Sequence, residues 1–345
     1  MKEMLDYIPQ LRVVMTTSCG KHCVYCRPSG EAACPVSKEQ MLSTVDLLSC
    51  IRQLVQCGIR EVRLTGGDPA FYPLDKLVWL VGELAKLGLY RLSLVTRSHL
   101  IRPVFSELKA AGLTHMTFSL DSMNADRWTK ACGIDAKRRG EHQLLMDTIR
   151  AAKDVGLVVN LNSVLLNETC YLELPELVAF AKSLGIGLKI EEVIRDIGRN
   201  GADGESLHAN LEPLKASLRK EAEGVETVYV RGGLGHPMEV LHLQGGASVT
   251  WKMFRGGACY GPSCRSCDHF PCDDALMALR LLPNGCLQTC LKREDNLVDL
   301  WAAIGSGEGL PTVERALLEY RKAKRLSYEE IADARDSRRM ERKVA

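Results

Sequence analysis

The 345-residue chain is 46% apolar and 26% charged with a net charge of +2, which supplies material for a large globular core and no global field that would demand nucleic acid or a membrane surface as partner. No stretch approaches the roughly 20 apolar residues needed to span a bilayer, and the acidic segment 1–10 lacks the apolar run of a signal peptide, so a cytoplasmic protein is expected. Fourteen cysteines in such a chain point to metal or redox chemistry rather than to disulfides.

Between residues 11 and 190, short β-branched or apolar runs alternate with longer amphipathic ones. Strands are predicted over 11–16, 61–65, 91–96, 115–119, 158–163 and 187–190. Ser37 caps the first helix, with Gln40 completing a capping box, and that helix runs towards Cys57 and stops at Gly58. Further helices follow over 74–87, 103–111, 141–155 and 173–184, stopped by Gly88, Gly112, Gly156 and Gly185. Strand then helix, repeated six times, predicts an α/β fold with a parallel sheet and right-handed crossovers. The periodicity leaves open a partial barrel, a complete barrel or an open doubly wound sheet.

Residues 196–206 read as a loop, and a helix over 211–223 ends the repeated unit. Short strands with turns at Gly232-Gly233 and Gly245-Gly246 fill 225–250, and the basic stretch 338–345 reads as a frayed tail. The expected division is a domain over 1–224 and a cysteine-rich domain over 225–345.

The cysteines are unevenly placed. Cys19, Cys23, Cys26 and Cys34 sit near the start, and Cys259, Cys264, Cys267, Cys272, Cys286 and Cys290 near the end. The scattered Cys50, Cys57, Cys132 and Cys170 read as small buried apolar residues. Cys19, Cys23 and Cys26 have the spacing C-x3-C-x2-C directly after the first strand. Three thiolates on one loop can hold an iron–sulfur cluster and leave one iron open; the alternative is a zinc knuckle completed by His22. Gly66-Gly67-Asp68 follows the second strand, one strand away, and active sites of parallel α/β folds gather at these strand ends. Near the other end, an Asn284-Gly285 hairpin brings Cys290 back towards Cys264 and Cys267, making a second metal site with Cys272 or Cys286 as further ligands. Zinc is the alternative to a cluster there.

These motifs resemble the radical S-adenosylmethionine (SAM) superfamily. The resemblance implies a partial (β/α)6 barrel, a 4Fe–4S cluster on Cys19, Cys23 and Cys26, SAM chelating its open iron, and an external electron donor of flavodoxin or ferredoxin type. It also implies SAM contacts from Tyr25, Gly66, Gly67, Asp68, Ser119 and Asn162. The run Arg280-Leu281 to Cys290-Leu291, with Arg12, Arg63 and Ser119-Leu120-Asp121-Ser122, resembles the GTP 3′,8-cyclase family. That likeness implies a second 4Fe–4S cluster on Cys264, Cys267 and Cys290, and substrate contacts from Arg12, Arg63 and Arg280.

The chain departs from that family at Asp68, where glutamate is usual, at Asn160, at Thr96-Arg97-Ser98, in the longer stretch from Cys267 to Cys290, and in its ending. These departures favour a relative that acts on another small molecule, a nucleotide or phosphorylated compound, over a true GTP cyclase. A peptide-modifying radical SAM enzyme and an iron–sulfur electron carrier or zinc scaffold are the other readings. Arg97, Arg102, Arg138, Arg139 and Arg199 are candidates to approach an anionic substrate, with fewer than half expected to do so, and His22 and His99 lie near the same loops. No general acid or base is assigned.

Overall fold

The computed structural model describes residues 8–26, 40–193, 204–229, 233–290, 292–293 and 295–344. Six strands, β1 (Gln10–Val14), β2 (Glu61–Thr65), β3 (Arg91–Thr96), β4 (His115–Ser119), β5 (Val158–Leu165) and β6 (Gly187–Glu192), pair in parallel in chain order. Their crossovers are α1 (Thr44–Gln56), α2 (Leu74–Ala85), α3 (Phe105–Ala110), the pair α4 (Ala125–Ala131) and α5 (Gly140–Asp154), and α6 (Cys170–Leu184). Each helix buries one stripe against the sheet, as Leu47, Leu48, Ile51 and Leu54 of α1 and Leu77, Leu80, Val81 and Leu84 of α2 do. The expected α/β class with a parallel sheet is borne out.

After α7 (Gly204–Leu207) and α8 (Glu212–Glu221) come β7 (Gly224–Val228), β8 (Met238–His242) and β9 (Ser248–Lys252). Strand β9 adds to β6 in parallel, and β8 and β7 continue outward antiparallel. A short strand β10 (Ala258–Tyr260) precedes β11 (Ala278–Leu281), which joins the other flank beside β1, followed by β12 (Cys286–Gln288) and β13 (Leu297–Asp299). The main sheet thus has twelve strands with edges at β13 and β7. Helices α9 (Leu300–Gly305) and α10 (Gly309–Arg321) pack by α1, then β14 (Lys324–Leu326) pairs with β10, and α11 (Tyr328–Val344) follows.

The sheet is curved. Arg63 of β2, Thr117 of β4, Asn160 of β5, Lys189 of β6 and Thr250 of β9 line one cavity of about 270 Å³, which a flat sheet would not allow.

Strands β2, β3 and β4 have the predicted bounds, and the other differences are local. Helix α1 begins at Thr44 because Ser43 caps it, its hydroxyl accepting from Asp46 N at 3.2 Å. Gln40 precedes the helix, and Ser37 lies outside the described residues. Helix α4 has no counterpart in the sequence reading. The 338–345 segment is corrected too: α11 runs through it to Val344, with the Arg338 guanidinium donating to Cys267 O at 2.6 Å. Much of 196–206 lies outside the described residues.

Ser43→Ala removes the cap of α1 and should cost about 1 kcal/mol. A urea unfolding series reads this as a lower midpoint at unchanged slope; an unchanged midpoint would place the helix start elsewhere.

Candidate active site

Beyond Val14 the chain leaves the sheet as the loop that carries Cys19, Cys23 and Cys26. Backbone bonds pin it from two sides. Met15 N donates to Thr65 O at 2.8 Å, while His22 N donates to Cys132 O at 2.9 Å and Val24 N to Ala131 O at 3.1 Å. The glycine loop after β2 docks on the same segment, with Gly67 N donating to Thr16 O at 2.7 Å and Asp68 N to Ser18 O at 2.8 Å. A Cβ on Gly67 would lie 2.2 Å from Ser18 O, and one on Gly66 (φ +149°) 2.6 Å from Thr16 O. The glycine pair is therefore required by the neighbouring loop before any ligand arrives.

The two loops border a cleft of about 410 Å³ lined by Cys19, Cys23, Cys26, Tyr25, Gly66, Gly67, Asp68, Arg97 and Ser119. Asn162 lines the neighbouring interior cavity instead. Asp68 is buried, and its carboxylate accepts from Thr96 Oγ1 at 2.6 Å, Ala70 N at 3.0 Å and Arg97 N at 2.8 Å. Burial raises its pKa despite these donors. The Arg97 guanidinium donates to Asp121 and to the Tyr25 hydroxyl, and its NH1 lies 3.3 Å from Cys132 Sγ. The Tyr25 hydroxyl in turn donates to Asp121 Oδ2 at 2.6 Å.

Cys132, read from sequence as a buried apolar residue, is buried but does more. Its thiol lies against the Cys23 sulfur, and as a donor there, with the Arg97 charge, it holds the Cys23 thiol below its ordinary value despite burial. Burial instead raises Cys19. No local pattern signals Cys132, because helix α4 delivers it from a distant part of the chain. Cys50, Cys57 and Cys170 are buried.

Of the four candidate arginines among the described residues, Arg97 alone lines the cleft. Arg138 pairs with Glu141 and Arg139 with Asp126 on the surface, Arg102 is exposed, and Arg199 and Cys34 lie outside the described residues. His22 is exposed and lines the same cleft as the three cysteines. The donor set, three thiols on one loop facing a cleft with a buried cation, fits a 4Fe–4S cluster with one open iron.

Beneath the cleft, register places Arg280 beside Arg12 and Arg12 beside Arg63, so three arginines form one row across β11, β1 and β2. From the far wall, Lys189 pairs with Glu191 at 2.5 Å. Burial lowers the Lys189 pKa, with Lys252 and Arg63 adding to the effect and Glu191 opposing it. Although burial pushes the Glu191 carboxyl up, Lys189, Lys252 and Arg12 hold it below its ordinary value. The sequence reading did not single out Lys189, Glu191 or Lys252.

The late cysteines divide into two groups. Cys264 and Cys290 each lie within electrostatic reach of Cys272, and Cys290 within reach of Cys267. Cys286 faces Asp299 and Cys50, and the Cys259 thiol donates to Gly233 O at 2.9 Å. Among the described residues no three His, Cys, Asp or Glu side chains close around a single ion; four irons and their sulfides hold thiolates further apart than one tetrahedral zinc does.

Residues 13–181 match the family described as the Radical SAM superfamily. The GTP 3′,8-cyclase of Mesorhizobium japonicum is 29% identical over 335 residues, 96% of this chain and 93% of that one. The GTP 3′,8-cyclase of Trichormus variabilis is 27% identical over 88% of this chain and 87% of that one. Among solved structures, Streptococcus suis SuiB bound to S-adenosylmethionine aligns with a TM-score of 0.59 at 15% identity, over 86% of this chain and 64% of that one. A histidine-tagged anSMEcpe with bound AdoMet aligns with a TM-score of 0.55 at 13% identity, over 94% and 81%; these two likenesses concern the fold alone. The family match carries the cysteine loop and its docked glycine loop, so residues 13–181 form the Radical SAM part of an enzyme that uses a 4Fe–4S cluster and SAM, and over most of its length the chain is similar to GTP 3′,8-cyclases.

Proposed function

We propose that this enzyme uses reductive cleavage of SAM to abstract hydrogen from a small anionic substrate, a nucleotide or another phosphorylated compound. The observation that carries the substrate class is the row Arg280–Arg12–Arg63. Planar guanidinium groups in a row can donate paired hydrogen bonds to a phosphate, and their shared charge favours an anion. The row lies on β1 and β2, the strands that also carry the cysteine and glycine loops, so a substrate held there sits next to the cleft.

In this reading Cys19, Cys23 and Cys26 hold the cluster, and Tyr25, Gly66, Gly67, Asp68 and Ser119 surround SAM, with Asn162 at the border of the two cavities. When bound, the cluster and SAM together supply an electron and a 5′-deoxyadenosyl radical that takes a substrate hydrogen. The protein's own contribution is to orient and shield. Arg97 balances Asp121 and fixes the Tyr25 ring, and the docked loops hold the cleft open between them. Residues 1–224 form the SAM-cleaving unit and residues 225–345 carry the auxiliary site, fed by an external electron donor. GTP cyclisation is the second reading, favoured by the 29% identity to a GTP 3′,8-cyclase over 96% of this chain.

The test is 5′-deoxyadenosine formation by anaerobically reconstituted enzyme with dithionite and SAM, comparing nucleosides with their mono- and triphosphates. Phosphorylated compounds, GTP included, should stimulate it, and Arg12→Gln should weaken that stimulation about ten- to a hundredfold in KM, the loss of a charge-assisted contact. Equal stimulation by an unphosphorylated nucleoside would remove the substrate class, and a cyclised GTP product would establish the second reading. Cys23→Ala should lose about four irons per chain and all SAM cleavage. Gly67→Ala should displace the cysteine loop, and binding of SAM measured by equilibrium dialysis should fall at least tenfold; unchanged affinity would show that the loop adapts.

A further inference from the structure

We propose that Arg265, Lys322 and Lys324 form the docking surface for a small acidic one-electron carrier, which meets the enzyme at its C-terminal cysteine region. This rests on the reading above, in which an external donor supplies the electrons for SAM cleavage. The three side chains are exposed and border one cavity of about 180 Å³, together with Cys264 and the rings of Tyr260 and Phe270. No carboxylate lines that cavity. Arg321, the neighbour of Lys322, pairs with Glu314, whereas Arg265, Lys322 and Lys324 make no ion pair among the described residues. The fold sets these cations in place. Strand β14 pairs with β10 so that Lys324 lies opposite Tyr260, and the Tyr260 ring meets Phe270 edge-on at 5.0 Å. The turn Pro262–Ser266 carries Arg265 between Cys264 and Cys267, and Cys267 N closes it by donating to Cys264 O at 3.1 Å. Glu319 is engaged by that turn rather than by the cations, its Oε1 accepting from Ser263 N at 2.9 Å and Ser263 Oγ at 2.6 Å. The Arg338 guanidinium stands 5.7 Å from the Phe270 ring centroid and donates to Cys267 O, adding a further positive charge beside the turn.

With a net charge of +2 the chain has no overall field to draw an acidic protein, so the attraction is local. Unpaired cations around one concavity steer an acidic face to that spot and fix its orientation. Redox encounters use the smallest of the specific protein interfaces, and a patch of this extent supplies one. A second copy of this chain, itself net positive, is not drawn to it. A one-electron carrier is the partner that gains from standing over Cys264, because that contact places it beside the C-terminal cysteines. One electron leaves the carrier and one enters the enzyme, with no bond formed or broken. The rival surface is the basic turn beside the first cysteine loop, where the Arg138 guanidinium reaches Gly20 O at 3.1 Å. There the charges are already opposed, Arg138 by Glu141 and Arg139 by Asp126.

The experiment uses the full chain, reconstituted anaerobically, and compares 5′-deoxyadenosine formation driven by reduced flavodoxin with the same reaction driven by dithionite. The variant carrying Arg265→Glu, Lys322→Glu and Lys324→Glu should lower kcat/KM for flavodoxin about tenfold or more and leave the dithionite-driven rate unchanged. Added salt should slow the flavodoxin-driven reaction of the wild type steeply and that of the variant little. Lys137→Glu with Arg139→Glu should leave both rates unchanged; if that pair loses the flavodoxin-driven rate and the first variant keeps it, docking is at the first cysteine loop and the proposal fails. Carbodiimide cross-linking of wild-type enzyme to flavodoxin, which joins lysine amines directly to carboxylates, should map to Lys322 or Lys324. Cross-links confined to other lysines, or joining these lysines to a second copy of the enzyme, would overturn the docking. This arm needs no substitution, so it decides even if the charge-reversed variant fails to fold. Failure of the SAM-cleavage reading would appear separately, as wild-type enzyme that makes no 5′-deoxyadenosine with dithionite, while the cross-link map still decides where the carrier docks.

Discussion

The Asp68 carboxylate is the tie on which the rim of the site depends. Its backbone N–H reaches the cysteine loop at Ser18 O, and its side chain holds Thr96 and the Arg97 backbone after β3. Arg97 then grips Asp121 after β4, and Asp121 Oδ1 accepts from Val164 N at 2.9 Å near the end of β5. A belt of polar contacts therefore joins the carboxyl ends of five consecutive strands. Most of it is buried, where a hydrogen bond is expensive to leave unmade. The loops that would hold cluster and SAM are thereby fixed as one unit.

The belt explains why aspartate suits this chain. A carboxylate one methylene longer would carry its oxygens past Thr96 Oγ1 and Arg97 N and further into the cleft. Here the shorter arm keeps the carboxylate inside the rim, and the cation that follows it, Arg97, takes its place at the cleft wall. Arg97 lies within electrostatic reach of Cys19 and Cys23, and Cys132 donates to Cys23. Positive charge and a thiol donor beside a ligand cysteine favour its thiolate.

Much of this was legible along the chain because it is local. Strands β2, β3 and β4 are alternating runs bracketed by clear stops, and the two cysteine groups are spacing patterns. What escaped depends on distance. The cap of α1 shifted to Ser43 because that hydroxyl finds Asp46, a choice the rival signal at Ser37 masked. Helix α4 is only seven residues long, too short for a periodic stripe, yet it brings Cys132 to Cys23. The resemblance named Arg12, Arg63 and Arg280, but only strand register reveals them as neighbours. Lys189, Glu191 and Lys252 are ordinary strand residues until the sheet curves.

That curvature sets the interior electrostatics. Arg12 of β1, Lys189 of β6 and Lys252 of β9 act on Glu191, and Arg63 of β2 acts on Lys189. An anion with several oxygens matches such a set of cations better than a neutral sugar or an amide does. Asn160, Asn162 and Thr117 line the same cavity and add hydrogen-bonding groups beside the cations.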